Sequence, residues 1–249
     1  MTHQPGPIRA HPGRRLRSDR ARQVADVLRR QIAQGTIATK LPAEAVLQRE
    51  FSVSRNSIRE ALEILRREGL VDRFPGIGTV VRRPKLEHTI AATRGLAASL
   101  RGHGTVVNEV RTAGQVRPPT AVTSALGLGP DEHVCYIERL RRLDGEPISL
   151  DLTYLPLDIG TALLHADLET EDLFALIERA ADDRLTTVSI NLDAVTADDN
   201  SAALLGLPPG GALLVLQRIT RLSDGHPACL EFVRMRGDRI TLRMSAPNG

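Results

Sequence analysis

Arg55, Asn56 and Arg59 are the residues of this 249-residue chain whose types and spacing fit the edges of nucleic-acid bases. An arginine fork matches the acceptor pair of guanine and an asparagine carboxamide matches adenine, so these side chains at the start of a helix can read a major groove. At about 100° per residue they stand opposite an apolar stripe of Ile58, Ala61, Leu62 and Leu65. The hydroxyls of Ser54 and Ser57, with the helix N-terminus itself, can hold a phosphate. Farther along, Pro75-Gly76-Ile77-Gly78 supplies a tight turn. Gly76 and Gly78 can come close to a minor groove there, with Arg73 and Arg82 nearby for phosphates. A solvated amphipathic helix and an ordinary glycine turn are the plainer alternatives, and the surrounding elements decide between them.

Those elements are three helices and a hairpin. Val24, Val27, Leu28 and Ile32 fall at helical spacing, with Ser18 as N-cap and Gly35 as the stop. Leu41-Pro42-Ala43-Glu44 opens a short second helix, because Pro is tolerated in the first turn and Glu44 favours the positive helix end. Ser54 caps the third helix and Gly69 ends it. The β-prone runs 70–74 and 79–82 close a hairpin around the glycines, which makes the unit a winged helix. Ahead of it, residues 1–17 carry three prolines, two glycines and four arginines without apolar periodicity, and read as a flexible basic tail.

Charge divides in the same place. Residues 1–85 hold 18 Lys and Arg against 8 Asp and Glu, a net +10; the remainder holds 15 against 22, a net −7. The basic part attracts phosphate polyanions and the acidic part is repelled by them. No apolar run is long enough for a membrane helix and the N-terminus lacks a signal-peptide core, so the expectation is a cytoplasmic protein without a membrane partner. Cys135 and Cys229 have neither metal nor redox spacing and read as small buried thiols. The seven histidines never fall at metal-ligand spacing, and there is no nucleophile elbow or phosphate-cradling loop. Neither a catalytic residue, a metal nor a cofactor is expected.

The run Leu41-Pro42-Ala43-Glu44, the segment Val53 to Leu62, Glu68-Gly69-Leu70 and Gly76-Ile77-Gly78-Thr79-Val80-Val81 resemble the DNA-binding domain of GntR-type bacterial regulators, across residues 18–83. The resemblance implies that Arg55 and Arg59 read the major groove and that the wing glycine Gly76 reaches the minor groove. One departure stands out: Ala45 occupies the place of a usual DNA-contacting arginine, which predicts an altered operator preference.

Residues 84–93 read as a linker. Beyond it, β-patterned runs at 134–140, 148–155, 188–195, 213–220 and 229–235 mix with helical patterns at 94–101, 172–179 and 201–205. Without a strict βαβ rhythm, this is an α+β domain on an antiparallel sheet. The ordered segments Glu138-Arg139-Leu140-Arg141, Asp144-Gly145-Glu146-Pro147, Thr153-Tyr154-Leu155-Pro156, Leu204 to Pro208, Asp224-Gly225-His226-Pro227 and Arg236-Gly237-Asp238-Arg239 resemble the UTRA effector domain of the HutC subfamily, across residues 94–245. That resemblance implies a chorismate-lyase-like fold, a cleft for a small-molecule effector and homodimerisation through this domain.

By the same resemblance, Arg139, Arg141, Asp151, Asp172, Cys229 and Met235 face the effector. Two cationic forks at Arg139 and Arg141 suit an anionic or polyhydroxylated ligand, although structural salt bridges are an equal alternative. Cys229 replaces a usual glutamate and Met235 a common aromatic. Ala97 and Asp172 stand where sugar-phosphate sensors carry small hydroxyl residues, and the carboxylate at Asp172 would repel a phosphate, so a phosphosugar is not expected. The expected function is an effector-responsive repressor that binds double-stranded operator DNA as a homodimer. An enzyme on the chorismate-lyase-like domain, or an effector-independent DNA binder, is the alternative.

Overall fold

The computed structural model describes residues 15–82, 85–90, 95–100 and 102–244. The chain divides into two compact units, Met1–Lys85 and Leu86–Gly249. Residues 1–14 of the expected tail, and 84 and 91–93 of the expected linker, lie outside the described residues.

In the first unit, α1 (Arg15–Ala33), α2 (Glu44–Phe51) and α3 (Arg55–Arg67) are followed by β1 (Val71–Phe74) and β2 (Gly78–Val81). The helix α1 starts at Arg15, so Ser18 is not its cap and residues 15–17 belong to the helix, not to a tail. In the core, Val24, Leu28 and Ile32 of α1 meet Leu47 of α2 and Ile58, Ala61, Leu62 and Leu65 of α3, whereas Val27, expected on the same face of α1, is exposed. Arg29 of α1 holds Glu68 beyond the end of α3 through two hydrogen bonds of 2.9 and 2.6 Å. The strands β1 and β2 pair antiparallel from Val71↔Val81 to Phe74↔Gly78. The approach to α2 adds a third edge, with an antiparallel bridge at Lys40↔Val80 and Leu41 donating its N–H to the Thr79 carbonyl at 2.9 Å.

The second unit is built on one six-stranded antiparallel sheet. Its strands are β4 (Val106–Val116), β5 (Val134–Leu143), β6 (Glu146–Pro156), β7 (Leu185–Thr196), β8 (Ala212–Leu222) and β9 (Pro227–Arg236), in the order β4-β5-β6-β9-β8-β7. All five expected strands are present, and β4 is an addition. A separate parallel pair joins β3 (Leu86–Thr89) to β10 (Ile240–Arg243). The stretch expected as linker is therefore a strand over Leu86–Thr89, held by a partner far away in sequence.

Among the described residues, five short helices decorate the sheet: α4 (Leu96–Leu100), α5 (Thr120–Ala125), α6 (Leu157–Leu163), α7 (Leu173–Ala181) and α8 (Asp199–Leu205). The α6 and α7 helices bury Ile159, Leu163, Leu173, Phe174 and Ile177 against Cys135, Ile137, Leu155 and Cys229 of the sheet. The closest approach is at Gly160, where any Cβ would overlap Cys135. Beside this cluster, α4 and the β3–β10 pair cover the same sheet over Leu216, Val233 and Met235.

Candidate functional site

Two groups of functional side chains emerge, one in each unit. In the first, Ser54 caps α3: its Oγ accepts from the Ser57 N–H at 3.2 Å and lies 3.0 Å from the Ser57 hydroxyl. This corrects the expectation for Ser57. Its side chain is 2% exposed and turned back onto the cap, so it stabilises the helix start and cannot reach a phosphate. Arg55, Asn56 and Arg59 are exposed on the face opposite the buried stripe, as their spacing predicts. Arg59 forms no ion pair among the described residues, whereas Arg55 lies 3.4 Å from the Glu44 carboxylate. Glu44 also receives the wing's Arg73 at 2.9 Å, so one acidic side chain joins α2, the recognition helix and the wing.

At the wing tip Gly76 has φ +76° and nothing within 4 Å of an added Cβ. The left-handed backbone there explains the glycine. Gly78 also has a positive φ, with the Lys40 side chain against it. The tip is not bare, however: Ile77, between the two glycines, is 57% exposed, and Phe74 is exposed beside it. Arg82 is tied to Asp72 across the hairpin at 2.6 Å and holds that carboxyl below the usual range.

In the second unit, a cleft of about 510 Å³ of empty space, part of it open to solvent, is floored by the sheet and walled by β3, α4 and α7. Arg139 and Arg141 reach it because alternate residues of β5 share a face. Arg141 is fully engaged: it pairs with Asp151 at 2.6 Å, both side chains 4% exposed, and donates to Asn108 Oδ1 at 3.0 Å. Asp151 in turn accepts from Ser149 at 2.7 Å. Arg139 is as deeply buried but poorly matched. Its Nη1 reaches the Leu168 carbonyl at 3.3 Å and its Nε has no partner among the described residues. Burial, with Arg141 alongside, disfavours its charged form.

Asp172 and Met235 line the cleft as expected, as does Ala97. Asp172 caps α7, accepting the N–H groups of Phe174 at 3.0 Å and Ala175 at 3.4 Å. Cys229 does not line it. It shares a strand face with Met235, but α6 and α7 cover that end of β9 and place Cys229 in their apolar core, where burial pushes its thiol up.

Among the cleft residues that sequence reasoning missed are Glu231, Arg218, Phe174 and His88. Glu231 lies two residues past Cys229 on the same face, so a carboxylate is present one step further along the strand. It is 6% exposed and burial holds its carboxyl above the usual range. Arg218, opposite it on β8, sits 3.9 Å from the Glu231 oxygen, donates to Thr220 at 3.1 Å and stacks 4.3 Å from the centre of the Phe174 ring. His88 of β3 is buried with Nδ1 2.7 Å from the Ser99 hydroxyl. Desolvation first, then Arg218 and Arg141, lower its pKa to about 4. The missed signal was parity: a charged residue at an inward position of an alternating strand, in step with Met235, marks a polar floor.

Comparison with known proteins agrees with both halves. Residues 102–241 match the UTRA domain and residues 20–81 match the gntR family of bacterial regulatory proteins. The chain is 29% identical to the HTH-type transcriptional regulator Rv0792c of Mycobacterium tuberculosis, over 90% of this chain and 85% of that one. It is 26% identical to the HTH-type transcriptional repressor NagR of Bacillus subtilis, over 88% and 91%. Among solved structures, PhnF from Mycobacterium smegmatis superposes with a TM-score of 0.66 at 25% identity, covering 91% of this chain and all of that one.

Proposed function

The chain belongs to the GntR-type DNA-binding transcriptional regulators that carry a UTRA domain, and from that premise we propose that it is a homodimeric, cytoplasmic repressor of the HutC subfamily whose operator affinity is set by a small molecule in the UTRA cleft. The observation that carries this reading is the composition of the cleft wall. His88 belongs to β3, the strand that directly follows the wing in the chain, and it lines the same cleft as Arg139 and Arg141. A ligand touching that wall acts on the segment that leads to the DNA-binding unit, which is the differential contact a two-state switch requires.

Arg55, Asn56, Arg59 and the Gly76 wing tip contact duplex DNA, and repression follows from occupying a promoter. Binding, not turnover, is the reading that the transcriptional regulators similar to this chain support. A phosphosugar is disfavoured because Asp172 already occupies the first amides of α7 with a negative charge.

Fluorescence anisotropy tests the reading, using duplexes that the protein itself selects from a random library. Sequence-selective binding that falls steeply with salt, and release of the duplex by one small molecule, is the expected result. Indifference to duplex sequence overturns it. Sedimentation at the same protein concentration tests the dimer, and tight calorimetric binding of a hexose phosphate would refute the exclusion of phosphosugars.

A further inference from the structure

The floor of the UTRA cleft contains two buried charged groups, Arg139 and Glu231, that the described residues leave poorly matched. Arg139 Nε lacks an acceptor among the described residues. The Glu231 carboxylate accepts no hydrogen bond among them, its one ion-pair partner being Arg218 at 3.9 Å. They lie together on the sheet. Thr153 is directly opposite Glu231 in the β6–β9 register, and Arg139 is opposite Asp151, the next inward residue of β6. Native proteins pair nearly all buried polar groups, so Arg139 Nε, left without an acceptor on the cleft floor beside a Glu231 carboxylate that accepts no hydrogen bond among the described residues, marks a surface built to be completed by something else.

The signs of the orphans define what completes it. Arg141 is neutralised by Asp151 at 2.6 Å, and Arg218 is engaged by Thr220 and the Phe174 ring. That leaves one cationic donor, Arg139, and one acidic acceptor, Glu231, in the same cleft. A purely anionic ligand would satisfy Arg139 and be repelled by Glu231; a purely cationic one would do the reverse. A neutral polyol would offer neither group a partner of opposite charge in a desolvated site. We propose that the effector is a small amino-carboxylate, with its carboxylate on Arg139 and its ammonium group on Glu231. This rests on the reading of the cleft as the effector site and names the ligand class for it. Glu231 then sets specificity for the amine, a role distinct from that of the arginines.

Calorimetry on the full chain tests the assignment. The probes are the proteinogenic amino acids, β-alanine and γ-aminobutyrate, each of them N-acetylated, and glucose 6-phosphate. At least one amino-carboxylate is expected to bind, about tenfold or more weaker once N-acetylated, because acetylation removes the charge that Glu231 recognises. Glu231→Gln is expected to weaken the free amino-carboxylate about tenfold or more and to leave the N-acetylated form unchanged. Should that variant fail to fold, Arg139→Lys, which keeps the charge and loses the guanidinium fork, is expected to weaken the free and the N-acetylated ligand alike.

Binding of no amino-carboxylate, or equal binding of the acetylated forms, overturns the proposal. Release of the selected duplex is read alongside. Release by glucose 6-phosphate alone overturns the amino-carboxylate and leaves the effector-responsive regulator standing. An amino-carboxylate that binds through Glu231 without releasing DNA supports the ligand class and overturns the switch.

Discussion

The Arg73 guanidinium donates to the Glu44 carboxylate at 2.9 Å, on the surface that also carries Arg55. Glu44 therefore competes with DNA phosphate for two cations of the proposed interface. An exposed pair of this kind contributes about 1 kcal/mol or less, while its negative charge repels an approaching backbone. Glu44→Gln is expected to tighten binding to random duplex by about two- to fivefold and to steepen its salt dependence. Anisotropy at two salt concentrations measures both. Weaker binding by the variant would mean that Glu44 positions the two arginines and does not compete for them.

Arg59 differs from Arg73 in having no ion-pair partner among the described residues, and it points from α3 away from the core. A side chain in that position can read a base edge, whereas one beside the wing meets backbone. Arg59→Ala is expected to cost roughly 1–3 kcal/mol on the preferred duplex and to relax base preference at one position. Arg73→Ala should weaken preferred and random duplexes by a similar factor. Equal losses on both duplexes for Arg59→Ala contradict its assigned role.

The strongly periodic parts were legible from sequence: the three helices and wing of the first unit, and strands β5 to β9, each carry an apolar repeat that only one element type satisfies. The β4 strand was not, because residues such as Glu109, Arg111 and Gln115 leave it polar on both faces, as an edge strand can be. The short helices α5 and α6 were missed because each follows a proline, Pro119 and Pro156, that reads equally well as a turn. No local signal marks β3, whose four residues are fixed by pairing with β10 at the far end of the chain. Of the residues expected at the effector, Arg139, Arg141, Asp151, Asp172 and Met235 line the cleft and Cys229 does not. Its exclusion depends on which end of β9 the α6 and α7 helices cover, and that is a property of packing between distant segments.

The buried pair of Arg141 and Asp151 makes a stability prediction. Removing Asp151 leaves a guanidinium without its counter-ion at a site where the side chain is 4% exposed. Asp151→Leu is expected to destabilise the second unit by about 3–5 kcal/mol, while adding Arg141→Met should restore most of the loss because neither charge then remains to be desolvated. Urea unfolding followed by circular dichroism reads both variants. An Asp151→Leu protein as stable as the parent would show that Asn108 and Ser149 alone satisfy Arg141.

His88 predicts an acid-sensitive cleft wall. In the unfolded chain its imidazole takes up a proton near pH 6.5; in the fold, desolvation and the charges of Arg218 and Arg141 delay that to about 4, with Asp151 opposing. Between those values the unfolded state holds more protons than the folded one, so His88 makes stability fall as pH is lowered from about 6.5 towards 4, by at most about 1.4 kcal/mol per unit. Glu231 works in the opposite sense. Its raised carboxyl pKa means that the folded state takes up its proton first, so acidification above the usual carboxylate range adds stability. The comparison that isolates the imidazole is therefore parent against His88→Gln, which retains a hydrogen-bonding group near Ser99 and cannot titrate. The parent is expected to lose more stability than the variant between pH 6.5 and 4.5 in parallel urea titrations, with the two curves parallel above pH 7. Identical slopes throughout would place the His88 ring in contact with water and remove it from the buried wall.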